Sequence, residues 1–176
     1  MYNKKAAWYY ERGRALHQKG KLSDSERAYK KAISISREFV PAYNNLGNVL
    51  LDRGRLKQAT DTYRKALDLS PDHPMLLNNL GNALQLQGEN KKALRWLNKA
   101  ITKNPNYADA YNNLGNCYKD FGDFQKAINC YEQAIKSEPG NLANFYALSE
   151  LKKEILNPSL RNSIEKIIND SNCVKR

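Results

Sequence analysis

Histidine, cysteine and long apolar runs are scarce in this chain, and each scarcity removes a class of function. Its 176 residues include two histidines, His17 and His73. No Ser/His/Asp set, no HExxH helix and no glycine-rich phosphate loop following a strand accompanies them, so no catalytic machinery is expected. The three cysteines, Cys117, Cys130 and Cys173, are an odd number without CxxC spacing. That argues against a disulfide framework and for a reducing, cytoplasmic setting. Zinc needs convergent Cys and His ligands; none are spaced for it, and no cofactor is implied. No apolar run approaches the ~18 residues of a membrane span. The opening Met1-Tyr2-Asn3-Lys4-Lys5 is not followed by an apolar stretch, so no secretory signal is expected.

Acidic residues are also short, 18 against 29 lysines and arginines, a formal net charge of +11. The excess is uneven. Residues 1–39 carry ten bases and four acids (+6), 40–73 give +1, 74–107 give +4, 108–141 give −2 and 142–176 give +2. Basic surfaces attract nucleic acid, anionic membranes and acidic proteins. Here the pairs Lys30-Lys31, Arg64-Lys65 and Lys91-Lys92 lack interleaved exposed aromatics and any nucleic-acid motif. They read as a solvated outer face, and nucleic acid as an unfavoured partner.

What the chain has in abundance is order. Gly13, Gly47, Gly81 and Gly115 recur every 34 residues, and so do Gly20, Gly54, Gly88 and Gly122. Glycine costs a helix about 1 kcal/mol relative to alanine, so eight in register require a repeated cause. Periods of this length mark stacked-repeat arrays. Between the glycines run columns of small residues (Ser25, Ala59, Ala93, Ala127 and Ala32, Ala66, Ala100, Ala134) and of large ones (Tyr29, Tyr63, Leu97, Tyr131). Leu46, Leu80 and Leu114 precede the first glycine, with Arg12 in the first unit. Pro71, Pro105 and Pro139 end their units, with Arg37 in the first. Apolar residues follow helical spacing, so each unit reads as two amphipathic helices. The second glycine suits a left-handed helix cap. The first glycine and the alanines suit close approach of two helix backbones, and proline stops the second helix.

Asn44-Asn45-Leu46-Gly47-Asn48, Ala59, Tyr63, Ala66 and Pro71, repeated in the next two units, resemble the tetratricopeptide (TPR) pattern. The resemblance covers residues 6–141 as four units, 6–39, 40–73, 74–107 and 108–141. It implies an all-α, right-handed α-solenoid of stacked antiparallel helix pairs, a TPR superhelix. The first unit departs at Arg12, Ser25 and Arg37, as expected of a terminal unit on which nothing stacks. Residues 142–176 read as a degenerate capping helix pair and tail: Leu142, Phe145, Leu148 and Leu151 continue a helix, Ser149 replaces glycine, and Pro158 precedes a stripe of Leu160, Ile164, Ile167 and Ile168. Homo-oligomerisation through that stripe is open. Cys117 and Cys130 fall on packing columns and read as buried, unreactive thiols.

Units two to four each carry three asparagines on the first helix: Asn44, Asn45 and Asn48; Asn78, Asn79 and Asn82; Asn112, Asn113 and Asn116. Nine asparagines in helices cost roughly 5 kcal/mol relative to alanine, at ~0.6 each. In the TPR family these positions face the concave groove. Amides both donate and accept, so a ladder at repeat spacing suits the main chain of an extended peptide, with Asn45, Asn79 and Asn113 as the main-chain contacts and Asn48, Asn82 and Asn116 beside them; this resembles the TPR arm of O-linked N-acetylglucosamine transferases. The same amides suit hydrogen bonds between neighbouring repeats, and the two roles are compatible. Tyr10, Leu51, Met75 and Leu86 are candidate apolar contacts. The carboxylate clamp that holds chaperone tails needs Lys and Arg where this chain has Met75 and Asn79, or Asp109 and Asn113, so that function is not expected. The expected function is non-catalytic protein or peptide binding in the groove. Two alternatives stand beside it. One is a substrate-recruiting N-terminal segment of a larger transferase, since Ala147–Lys153 resembles the segment that follows TPRs in bacterial TPR-sulfotransferase proteins. The other is electrostatic binding of nucleic acid or anionic membrane.

Overall fold

Each unit begins as a helix that must be stopped within a few turns, and the stop is a glycine. The computed structural model describes residues 3–153. Eight helices follow in order: α1 (Lys4–Gln18), α2 (Leu22–Ile35), α3 (Val40–Asp52), α4 (Leu56–Leu69), α5 (Pro74–Leu86), α6 (Asn90–Lys103), α7 (Ala108–Asp120) and α8 (Phe124–Ser137). A further helical run covers 142–153. No strand occurs among the described residues. At the end of α3, Gly54 takes φ +69° with nothing within 4 Å of where a Cβ would stand. Its N–H donates to the Leu51 carbonyl at 2.8 Å, and the Arg55 N–H donates to that of Leu50 at 2.8 Å. These two bonds are the Schellman closure, which satisfies carbonyls that a helix end otherwise leaves orphaned. Gly20, Gly88 and Gly122 repeat it.

The first glycine column works differently from the expected approach of two backbones. A Cβ on Gly47 would stand 2.3 Å from Cε1 of Tyr63, and one on Gly81 would stand 2.6 Å from Cγ of Leu97. The missing side chain makes room for the large residue of the second helix, whose ring or branch lies flat on the first. The proline stop also needs correcting. The capping residues Ser36, Ser70, Asn104 and Glu138 share an extended conformation, with φ between −134° and −146°. Residues before proline are driven to it, yet Ser36 precedes Arg37 and adopts it too. Proline favours this linker without being required for it.

Units stack through contacts of α2 with α3, α4 with α5 and α6 with α7. The first helices also touch one another directly, α1 with α3, α3 with α5 and α5 with α7, whereas no two second helices touch among the described residues. First helices therefore lie on the shorter, concave side and second helices on the convex side. Leu50, Tyr63, Leu77, Leu80 and Leu97 are buried in one apolar cluster that runs through the array. Fully burying one such leucine contributes roughly 2 kcal/mol, and no unit could bury its own alone.

Both ends depart from the pattern for want of a neighbour. Trp8 shares the column of Ala42, Leu76 and Ala110, which are 0–1% exposed, but is itself 56% exposed. The Arg12 guanidinium covers its ring at 5.3 Å from the centroid. At the other end, Leu151 packs on Ala127 and Tyr131. The Leu160–Ile168 stripe, Cys173 and the second member of the capping pair lie outside the described residues.

Candidate functional site: the asparagine-lined inner face

All nine asparagines stand on the inner helices α3, α5 and α7, and the structure divides them into two sets. Asn44 and Asn78 are buried, and the other seven are half-exposed. In the first set, the Asn113 amide donates to Oδ1 of Asn78 at 2.9 Å, Asn78 to Asn79 at 3.3 Å, and Asn79 to Asn44 at 2.9 Å. Asn44 then donates to Asn45 at 3.2 Å, and Asn45 to the Tyr10 hydroxyl at 3.2 Å. Five hydrogen bonds thus link four units in one relay. Tyr10 precedes Asn44 by one repeat, so it terminates the relay in the same column. Asn112 takes a separate route, donating to the buried Asn144 at 2.8 Å, which in turn donates to the Ala134 carbonyl at 3.4 Å.

The second set is Asn48, Asn82 and Asn116. The Tyr63 hydroxyl donates to Oδ1 of Asn48 at 2.6 Å, and the Tyr131 hydroxyl to Oδ1 of Asn116 at 2.7 Å. The tyrosine packed on the first glycine therefore places its hydroxyl against the asparagine that directly follows that glycine. Burial, and after it the Asp52 charge, pushes the Tyr63 phenol well up, so it stays a donor. In unit three the large residue is Leu97, and the Asn82 side chain makes no hydrogen bond among the described residues. The Nδ2 groups of all three lack a protein acceptor among the described residues. Sequence reasoning missed the tyrosine partners and Asn144; the shared period of the Tyr63/Tyr131 and Asn48/Asn116 columns was the available signal.

Around this stripe, Met75 and Leu86 are exposed, Leu51 is half-buried, and Tyr10 packs on Phe39 with ring centroids 5.0 Å apart. His17 and Asp52 meet at 2.6 Å, and Gln85 donates to Asp120 at 2.7 Å, both 35 residues apart, as are the Asn45–Tyr10, Asn79–Asn44 and Asn113–Asn78 rungs. On the convex side Lys30 bonds Glu26, Arg64 bonds Asp61, and Lys92 pairs with Glu89. Cys117 and Cys130 are buried and free; burial pushes their thiols up to about 12 and about 11, with Asp120 and Cys130 adding to the first. Among the described residues no cluster of His, Cys, Asp and Glu could hold a metal ion, and no helix is long and apolar enough to cross a membrane.

Family models described as "Tetratricopeptide repeat" match residues 39–103 and 108–141, and one described as "TPR repeat" matches 13–52. The chain belongs to the tetratricopeptide repeat family. Among solved structures, a MamA protein is 28% identical with TM-score 0.72, over 93% of this chain and 87% of that one. YrrB, described as a TPR protein with an unusual peptide-binding site, is 26% identical with TM-score 0.64, over 85% and 77%. PilF of Pseudomonas aeruginosa, at 22% identity and TM-score 0.77 over 88% and 70%, shares the fold. No curated protein matches the chain.

Proposed function

We propose that this TPR array is a non-catalytic scaffold that binds an extended polypeptide along its inner face, with Asn48, Asn82 and Asn116 as the main-chain contacts. The observation that carries the reading is the row of half-exposed asparagines whose Nδ2 groups lack a protein acceptor among the described residues, one in each of units two to four. Two of these amides are pinned through Oδ1 by tyrosine, which fixes their orientation before any ligand arrives and lowers the ordering cost of binding. Asn45 and Asn79 have protein partners on both oxygen and nitrogen, and serve as the frame that holds neighbouring units in register. Met75 and Leu86 flank the row as apolar contacts. That YrrB is described as carrying a peptide-binding site supports the same use of a related array.

The test separates the two sets. Asn48→Asp and Asn116→Asp keep the acceptor for the tyrosine and remove the donor, and Asn82→Ala removes an amide with no protein bond. Three lost hydrogen bonds at ~1 kcal/mol each correspond to about 100-fold in affinity. On an array of immobilised unstructured peptides, the triple variant is expected to lose binding by that order with an unchanged melting temperature. Retention of wild-type binding by the triple variant overturns the assignment.

A further inference from the structure

The asparagine relay has a direction. The three bonds that cross between units all donate toward unit one, Asn113 to Asn78, Asn79 to Asn44 and Asn45 to Tyr10. The two within units, Asn78 to Asn79 and Asn44 to Asn45, join them in series. Its two ends are chemically unlike. At the unit-one end the Tyr10 hydroxyl accepts, and its own proton has no acceptor among the described residues. At the unit-four end Oδ1 of Asn113 receives no donor among the described residues. By the pattern of Asn44 and Asn78 that donor would be Asn112, but Asn112 is drawn to Asn144. Aligned hydrogen bonds polarise one another, so the relay is a line of dipoles with an unspent donor at Tyr10 and an unspent acceptor at Asn113.

The fixed charges run the same way. Arg14 lies one helical turn beyond Tyr10, its guanidinium 6.0 Å from the ring centroid, in an exposed pair with Glu11. Residues 1–39 carry a net +6. Asp109 lies one turn before Asn113 on the same face of α7, with no cation within ion-pair distance among the described residues, and unit four carries −2.

We infer that the ligand is itself dipolar, its acidic or carboxyl end lying at unit one beside Tyr10 and Arg14, and its basic or amino end at unit four beside Asn113 and Asp109. The inference rests on the groove reading above, which alone sets no orientation. Adjacent packed helices lie roughly 8–10 Å apart and extended chain rises ~3.3 Å per residue, so the three steps from α1 to α7 take roughly seven to nine residues.

The probe is a synthetic twelve-residue peptide with two lysines at its amino end, two aspartates at its carboxyl end and serine and valine between. A nitroxide is attached to one end or the other, and backbone amide signals of the labelled protein are followed by NMR. A nitroxide at the carboxyl end is expected to erase signals around Tyr10 and leave those around Asn113, and one at the amino end to do the reverse. A second peptide with lysines and aspartates exchanged is expected to invert both patterns. Reversed patterns, or equal losses at both ends, overturn the orientation while leaving the groove reading intact. If neither peptide perturbs any inner-face signal, both readings fall together.

Discussion

Exchanging glycine for alanine in the two columns is expected to fail for opposite reasons, and the size of the failure separates them. At Gly47 the new Cβ would stand 2.3 Å from Cε1 and 2.5 Å from Cζ of Tyr63. Tyr63 is fully buried, and its hydroxyl is tied to Asn48 at 2.6 Å. The ring therefore cannot retreat without giving up that bond. Overpacking costs about 1–3 kcal/mol, and a buried hydroxyl left unpaired adds about 1–3 kcal/mol. The gain in helix propensity returns about 1 kcal/mol. The net expectation for Gly47→Ala is about 1–5 kcal/mol of destabilisation, with a midpoint of about 3 kcal/mol. At Gly54 nothing stands within 4 Å, and the cost is the left-handed backbone alone, about 1–2 kcal/mol. Gly81→Ala falls below Gly47→Ala, because Leu97 can change rotamer and has no hydroxyl to lose. Urea titration followed by far-ultraviolet circular dichroism measures all three. In a Tyr63→Leu background the cost of Gly47→Ala should fall toward that of Gly81→Ala. Equal effects at Gly47 and Gly54, or no relief from Tyr63→Leu, would refute ring accommodation as the cause of the first column.

Glu26 is nearly fully buried, bonded to Lys30 at 2.6 Å, to Arg55 at 3.2 Å and to Arg53. Burial pushes its carboxyl up, but the Lys30 hydrogen bond and the charges of Lys30, Arg53 and Arg55 outweigh that and hold it below the ordinary glutamate value. Its contribution is therefore complete above the unfolded-state pKa near 4.5 and is lost as pH falls through the lower folded value. Acid titration of wild type and Glu26→Gln should show a stability gap at neutral pH that narrows as pH falls below the unfolded value of 4.5; a constant gap refutes the clamp. Asn79→Ala breaks two relay bonds and is expected to cost about 1–2 kcal/mol, whereas Asn82→Ala should be neutral or stabilise by about 0.6 kcal/mol through helix propensity; thermal melts with equal shifts would remove the division of roles. Cys117 and Cys130 should resist maleimide at pH 7 in the folded protein and react fully in urea, as mapped by peptide mass; labelling of either without denaturant contradicts its burial.

The architecture was legible because its signals are local and repeated. A capping glycine and an alanine column each report one backbone requirement, and four copies average away chance. The Gly47–Tyr63 contact was half legible: both columns stood out, but sequence spacing could not say that a ring, and not a backbone, fills the glycine's space. The proline reading was incomplete: α4, α6 and α8 do end just before Pro71, Pro105 and Pro139, but Ser36 before Arg37 ends α2 in the same conformation without one. The asparagines were legible as a set and not as individuals. Asn48 and Asn82 share a column, and only the change from Tyr63 to Leu97 on the facing helix gives them different partners. Asn144, two residues out of register with the column, carried no periodic signal at all.

The uniform inner face and the varied junctions answer to different demands. A stack of near-identical units has a hazard, because a slip by one unit would bury similar apolar area in the wrong register. Beside the asparagine rungs, which repeat, the other polar contacts that cross the junctions are not interchangeable. Between units one and two, Glu26 takes Arg53 and Arg55. Between two and three, Gln87 donates to the Leu56 carbonyl at 3.0 Å, and Asp72 meets Lys103 at 2.9 Å. Between three and four, Asp120 accepts from Gln85 and Asn90. A slipped stack would set Glu26 against Gln87 or Phe121, and would leave a buried carboxylate with Lys30 of its own helix but without its two arginines, which is costly for a buried charge. Specificity of stacking thus sits in residues that differ between units. The Asn48, Asn82 and Asn116 row can then stay uniform, which is what recognition of a regularly spaced main chain requires.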